Sequence, residues 1–174
     1  EAAAAFDSLP GIGPRAALRY AYWLVTQPHE TIERFARSIQ KLGSAVNHCT
    51  MCHQWSDASP CRICANGNRD ASALCVVATS QDVQLVEDTG VFKGRYHVLG
   101  GTLDPIEGRT PYTLTIASLL TRLQHPTSPI REVILALDAD LPGDTTALYL
   151  KKQLANIPLK ITRLARGLPT GAAL

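Results

Sequence analysis

Apolar residues Leu18, Ala21, Tyr22 and Val25 recur at i, i+3, i+4 and i+7, the spacing of one face of an α-helix. The hexapeptide before them, Leu9-Pro-Gly-Ile-Gly-Pro14, is too rich in glycine and proline for a helix interior and predicts a turn that opens the helix. A second helix is predicted from Thr31, a good N-cap, with Ile32, Phe35, Ala36, Ile39, Leu42 and Val46 in helical register. Residues 1–48 therefore read as all helical. Residues 49–72 break the pattern, being polar and rich in cysteine.

From residue 73 onward short apolar runs alternate with longer amphipathic ones. Leu74 to Ala78, Tyr96 to Leu99, Val133 to Leu137 and Leu159 to Leu164 read as buried strands. Ser80 to Asp88, Thr113 to Gln124 and Asp144 to Leu154 carry apolar residues at helical intervals. Such alternation predicts a mainly parallel sheet covered by helices, with its ligand edge at the C-terminal ends of the strands. The fold class expected is a multi-module α+β chain: a helical region over 1–48, a cysteine module over 49–72 and an α/β domain over 73–174.

The chain has 174 residues, 45% of them hydrophobic, which is enough for a real core. A net charge of +2 is too mild for a polybasic membrane or histone-like protein, so any nucleic-acid binding must come from local placement. No run approaches the about 18 consecutive apolar residues of a membrane span, and the alanine-rich start lacks the basic flank of a signal peptide. A cytoplasmic protein is the expectation. Four of the five cysteines form Cys49-x-x-Cys52 and Cys61-x-x-Cys64. Each pair can aim two thiolates at one ion from a tight turn, which points to a closed, structural zinc site. A redox dithiol or two disulfides are the alternatives, and His48 or His53 could replace a thiolate, although solvent-facing or supporting histidines are the more ordinary reading.

Around the glycine-rich turn, the Gly11 to Gly13 amides at a helix start can donate to a phosphate oxygen, helped by the helix dipole and without reading a base. Arg15 and Arg19, four apart on one face, extend that grip; the plain alternative is a helix-start turn with two solvated arginines. Asp138 and Asp140 follow a predicted strand and could hold Mg²⁺ for phosphoryl chemistry. A working site needs a third carboxylate on a neighbouring strand end, where Ala78 and Thr79 stand. A solvated-loop or partner-binding role is expected of these two instead. Asp82 is explained by the electrostatics of a helix start, and Cys75 reads as a small core residue. His97, Asp104 and Ser118 are triad types without a nucleophile elbow, so a serine hydrolase is dismissed. The turn-rich stretch from Gly100 to Pro111 is a long connection, either a binding surface or a plain connector.

The order of Leu-Pro-Gly-Ile-Gly-Pro-Arg15, the paired CxxC motifs, Asn-Arg-Asp70 before Leu-Cys-Val-Val77, Gly94-Arg-Tyr-His-Val-Leu99, Val-Ile-Leu-Ala136 and Gly143-Asp-x-Thr-Ala-x-Tyr-Leu150 resembles the bacterial recombination mediator family RecR over essentially the whole chain. Arg163-Leu-Ala-Arg166-Gly-Leu-Pro-Thr-Gly-Ala-Ala-Leu174 resembles a further family segment. The resemblance implies a helix-hairpin-helix over Leu9 to Val25, a zinc finger held by Cys49, Cys52, Cys61 and Cys64, a Toprim domain from about Leu74, and no catalysis. It implies action with RecO, and in some pathways RecF, to load RecA onto single-stranded DNA coated by single-strand-binding protein. It also implies dimers or ring-like tetramers whose hairpin regions, with Gly11, Gly13, Arg15 and Arg19, line an opening for DNA. Ala78 stands where the family usually has Glu, and Leu141-Pro142-Gly143 where it commonly has Val-Glu-Gly. Partner binding then falls to Asp138, Asp140 and Asp144. A C-terminal family segment is expected to lie beyond this chain. The rival is a Mg²⁺-dependent Toprim nuclease or primase-like enzyme using Asp138 and Asp140.

Overall fold

A computed structural model describes residues 1–165. The chain forms two compact units, Glu1–Val46 and Asn47–Leu174. The first holds α1 (Ala2–Asp7), α2 (Pro14–Val25) and α3 (His29–Ala45). Phe6 of α1 meets Tyr20 of α2 edge to face at 5.9 Å, and Ala17 is buried. The α3 helix starts two residues before Thr31, which is not its cap. Pro28, with its ring-fixed φ of −57°, provides the carbonyl that accepts from the Thr31 and Ile32 amides.

The second unit begins with the short strands β1 (Asn47–His48) and β2 (Trp55–Ser56), paired antiparallel, and a single helical turn, α4 (Arg62–Ala65). Then follow β3 (Ala73–Val77), α5 (Ser80–Asp88), β4 (Arg95–Val98), α6 (Ile116–Gln124), β5 (Glu132–Ala136), α7 (Leu141–Gln153) and β6 (Lys160–Arg163). The sheet order is β4-β3-β5-β6 and every pairing is parallel, as the alternation of apolar runs predicts. Each strand falls within one residue of its expected start, and α5 has the expected bounds. The α6 helix starts at Ile116 because Thr113 is spent in a turn, its hydroxyl accepting from the Thr110 amide at 2.9 Å. The α7 helix starts three residues earlier than expected, at Leu141. The segment Arg163–Leu174 that carries family resemblance lies outside the described residues from Arg166 onward.

Period-two alternation decides which layer each strand residue joins. Leu74 and Val76 of β3 pack with Val133, Leu135, Leu119, Leu123, Leu150 and Leu154 beneath α6 and α7. Cys75 and Val77 face the other way, into a cluster with Val83, Tyr96, Val98 and Ile63 that also contains the four paired cysteines. The cysteine module is thus part of the wall of the α/β core rather than an appendage to it.

Arg69 ties the chain after the fourth cysteine to this wall. Its guanidinium pairs with Glu87 and donates to the Phe92 and Gly94 carbonyls at 3.2 and 3.1 Å, while the Tyr96 hydroxyl donates to Glu87 at 2.6 Å. Burial pushes Glu87 up, but Arg69 and Tyr96 together hold it below its ordinary range. Arg69→Ala leaves that carboxylate short of its cation, and for a pair partly screened by solvent we expect a loss of about 2 kcal/mol. Urea unfolding of the variant beside the parent measures it; an unchanged midpoint would mean that the pair only decorates the surface.

Candidate metal centre and nucleic-acid interface

The cysteine knuckles are folded by their own backbone. The Cys49 amide donates to the Gln54 carbonyl at 2.9 Å and the His53 amide to the Cys49 carbonyl at 2.8 Å, with His53 at φ 63° to close the turn. On the second knuckle the Cys61 sulfur caps α4, accepting from the Cys64 amide at 3.4 Å, and the Cys49 sulfur accepts from the Cys61 amide at 3.3 Å. The Thr50 amide and hydroxyl meet the Ser59 hydroxyl at 3.0 and 2.9 Å, which holds the loop between the knuckles against the first of them.

The result is four buried sulfurs within 4.8 Å of one another, Cys52 and Cys61 at 3.6 Å. A tetrahedral ion with sulfur ligands at about 2.3 Å requires sulfur-to-sulfur separations of about 3.8 Å, so the cluster has the size and donor set to hold a metal ion. None of the five cysteines is in a disulfide. The amide donors fit thiolates: burial pushes Cys49 up, but the Cys61, Cys52 and Met51 amides draw it down to about 6. The Cys64 thiol and burial push Cys52 up, and burial does the same to Cys61. Four thiolates cannot all stay charged here unless a cation offsets them. Cys75, in the same buried cluster but outside the group of four ligands, is pushed up to about 12 by burial.

The two histidines stand beside the cluster without joining it. His48 stacks on Trp55 at 3.7 Å and its Nδ1 donates to the His53 carbonyl at 2.8 Å, while His53 Nε2 meets the Ser118 hydroxyl at 2.7 Å. Arg122 braces the first knuckle, its Nη1 donating to the Met51 carbonyl at 3.1 Å and to the Tyr96 carbonyl at 2.8 Å. Sequence reasoning missed Arg122 because its partner lies 71 residues away, and no local pattern marks such a contact.

His97 on β4 is fully buried, with Nε2 against the Thr115 hydroxyl at 3.0 Å and carbonyl at 3.2 Å. Burial, and then the charges of Arg122 and His53, push it down to about 3. Since the unfolded chain takes up this proton near pH 6.5 and the native one does not, stability falls as pH drops from about 6.5 towards 3, by at most about 1.4 kcal/mol per unit. His97→Gln removes this slope. Chemical unfolding at pH 7 and pH 5 should show the parent losing about 2 kcal/mol more than the variant, since acid loss of a bound metal is common to both; parallel losses would contradict the assignment.

In the middle of the sheet the chain order reverses between β3 and β5, so the crevice at their C-terminal ends is the natural ligand site. Ala78 follows the last residue of β3 there. Asp82 and Thr79 form a reciprocal cap at the start of α5: the Thr79 amide donates to the Asp82 carboxylate at 2.7 Å and the Asp82 amide to the Thr79 hydroxyl at 3.4 Å. Asp140 caps α7, accepting from the Gly143 amide at 2.7 Å. A side chain at Gly143 would strike the Asp138 carbonyl at 2.2 Å, so glycine is what lets the helix start this close to the strand. Asp144 pairs with Arg163 at 2.6 Å. Among the described residues the four cysteines are the only group of three or more potential metal ligands.

In the first unit the turn from Ser8 to Gly13 is closed by Ser8 Oγ donating to the Ala5 carbonyl at 2.8 Å and the Ile12 amide donating to the Leu9 carbonyl at 3.1 Å. Gly11 adopts φ 78°, a conformation that suits glycine. Gly13 is the N-cap of α2, with no side chain to cap the helix and Pro14 in the first turn. The Ile12 amide is spent and Pro14 has none, so the donors around this helix start are chiefly the Gly11, Gly13, Arg15 and Ala16 amides. Arg15 and Arg19 are exposed and make no ion pair among the described residues. Arg19 rests 5.5 Å from the centre of the Tyr20 ring.

Residues 1–42 match the family model described as RecR, helix-hairpin-helix, and residues 72–165 match the Toprim domain model. The chain is 46% identical over 169 residues to Recombination protein RecR of Mycobacterium leprae, covering 95% of this chain and 83% of that one. It is 42% identical over 168 residues to Recombination protein RecR of Bdellovibrio bacteriovorus, covering 94% and 82%. With Recombination protein RecR of Treponema pallidum it shares 45% over 166 residues, covering 95% and 82%.

Proposed function

The chain belongs to the RecR family of recombination proteins, and from that premise we propose that it is a non-enzymatic, DNA-binding mediator of recombinational repair in the bacterial cytoplasm, associated with the nucleoid. The observation that carries the reading is the bare start of α2: uncapped amides around Gly11 and Gly13, with Arg15 and Arg19 exposed on the same helix and in no ion pair among the described residues. Backbone amides at the positive end of a helix bind phosphate without reading a base, so sequence preference should be slight.

Two cations per chain give weak binding, and several chains on one duplex multiply it. Self-association into a dimer or ring-like tetramer is therefore part of the proposal. It agrees with the apolar side chains the first unit leaves exposed, among them Leu18, Trp23, Val25, Phe35, Ile39 and Leu42. The ion held by Cys49, Cys52, Cys61 and Cys64 is zinc in this reading: four thiolates leave no open position, and the role is to cross-link the wall of the α/β core. RecO, with RecF in some pathways, is the partner, and Asp138, Asp140 and Asp144 form the acidic surface offered to it, in the service of loading RecA on single-stranded DNA coated by single-strand-binding protein. A catalytic metal at Asp138 and Asp140 is disfavoured because Ala78 supplies no carboxylate, while Asp82 and Asp140 are engaged as helix caps.

The test is binding to duplex and single-stranded oligonucleotides at two salt concentrations, on protein of known zinc content, with light scattering on the same sample. Binding by an oligomer that weakens steeply with salt is the expected result. Magnesium-dependent nicking or primer synthesis, lost in Asp138→Ala, would overturn the non-enzymatic reading.

A further inference from the structure

A cavity of about 590 Å³ lies in the second unit between the first cysteine knuckle and the loop that follows α6. It opens at the N-terminal ends of the strands, with Arg95 at the start of β4 and Ile130 just before β5 in its lining. That is the edge opposite the Asp138 crevice, and the hairpin residues take no part in it. We propose that this cavity is a phosphate-binding pocket for a ligand of mononucleotide size, either a free nucleotide or the phosphorylated terminal nucleotide of a strand.

Its charge is one-sided. Arg95 and Arg122 both line it, and no carboxylate does. The thiolates of Cys64, Cys52 and Cys49 attract Arg122, which accounts for one cation; Arg95 makes no ion pair among the described residues and repels Arg122. An anion between them relieves that repulsion and makes the charge-assisted bonds for which guanidinium is suited.

The hydrogen-bonding groups of the lining are also not satisfied from within. Arg95 Nε and Ser128 Oγ are covered by neighbouring atoms and have no partner among the described residues, a cost that a folded protein rarely carries without a use; both residues line the cavity, and a turn of either side chain presents the donor to it. His125 Nδ1 accepts from the Thr127 amide at 3.3 Å, so Nε2 is the ring nitrogen left to donate, one more donor in the lining. Met51 and Ile130 supply apolar wall, and the volume falls in the range of small-molecule sites. Cations, donors and apolar wall in one cavity match a phosphate joined to a ring.

The test is calorimetric titration of the zinc-loaded full chain with deoxyadenosine monophosphate. A parallel arm uses short oligonucleotides with and without a 5′-phosphate, on the Arg15→Ala/Arg19→Ala background so that the hairpin contributes its backbone amides alone, equally to both strands. Saturable binding is expected, weakened about tenfold or more by Arg95→Gln and also weakened by Ser128→Ala, which deletes an unpartnered hydroxyl and leaves the thermal midpoint in place. Arg122 is left intact because it braces the knuckle. Binding of the mononucleotide alone identifies the free nucleotide as ligand, and a preference for the 5′-phosphorylated strand identifies the strand end; either supports the pocket. No saturable binding of either probe at millimolar concentration, or binding indifferent to both substitutions, overturns it and leaves the hairpin reading untouched.

Discussion

Removing the metal from the Cys49, Cys52, Cys61 and Cys64 cluster is expected to cost the second unit most of its stability, not merely to fray a finger. The cysteines belong to the same buried cluster as Val77, Tyr96 and Val98, and the Val98 amide, at the end of the outermost strand, donates to the Cys52 carbonyl at 2.8 Å. Without an ion, four buried sulfurs must protonate or separate, and either movement opens that wall. Structural zinc stabilises isolated fingers by about 10 kcal/mol or more, and a domain commonly has only about 5–15 kcal/mol in total. A drop in thermal midpoint of more than about 10 °C is therefore expected on chelation or in Cys61→Ser. Cys75→Ser should leave the zinc content unchanged. Trp55 fluorescence in a Trp23→Phe background reports on this unit alone. Unfolding curves that coincide with and without chelator would contradict the structural role.

The second large effect is on DNA. In Arg15→Ala/Arg19→Ala the amides of the helix start remain and the two cations are lost. Each phosphate contact contributes about 0.9 to the slope of log affinity against log salt, so the double variant should lose nearly two contacts' worth of slope per engaged chain. Affinity at low salt should fall at least about tenfold, and further when several chains share a duplex. Folding should be unaffected, since both side chains are exposed. An equal slope in parent and variant would place the DNA grip elsewhere on the molecule.

The parts of this molecule that were legible in the sequence are those fixed by local rules. The period of the apolar residues gives α5 its bounds and places the four strands within a residue: β3 is a continuous apolar run buried on both faces, whereas β6, expected to be buried, is a half-exposed edge strand along which Leu159 and Ile161 alternate with Lys160 and Thr162. The spacing of the two CxxC pairs announces their convergence, since each knuckle closes through neighbours in the chain. Thr31 misleads for the opposite reason: it is a good cap, but Pro28 has already turned the chain into α3. Asp140 read as a surface acid and is a helix cap, because the start of α7 is set by how closely the Gly143 backbone approaches Asp138. Arg122 and Arg95 were invisible as a pair. They are brought to one cavity by the sheet and by α6, and contacts across such separations leave no periodicity to read.

The measurement that bears most directly on the central claim is the rate at which RecA loads onto single-stranded DNA coated by single-strand-binding protein, with RecO present, as zinc-loaded protein is added. Faster loading by the parent, little or none by Arg15→Ala/Arg19→Ala, and no nucleolytic change in the DNA are the expected outcome. Loading that is indifferent to the protein, or DNA that is cut when magnesium is supplied, would contradict it.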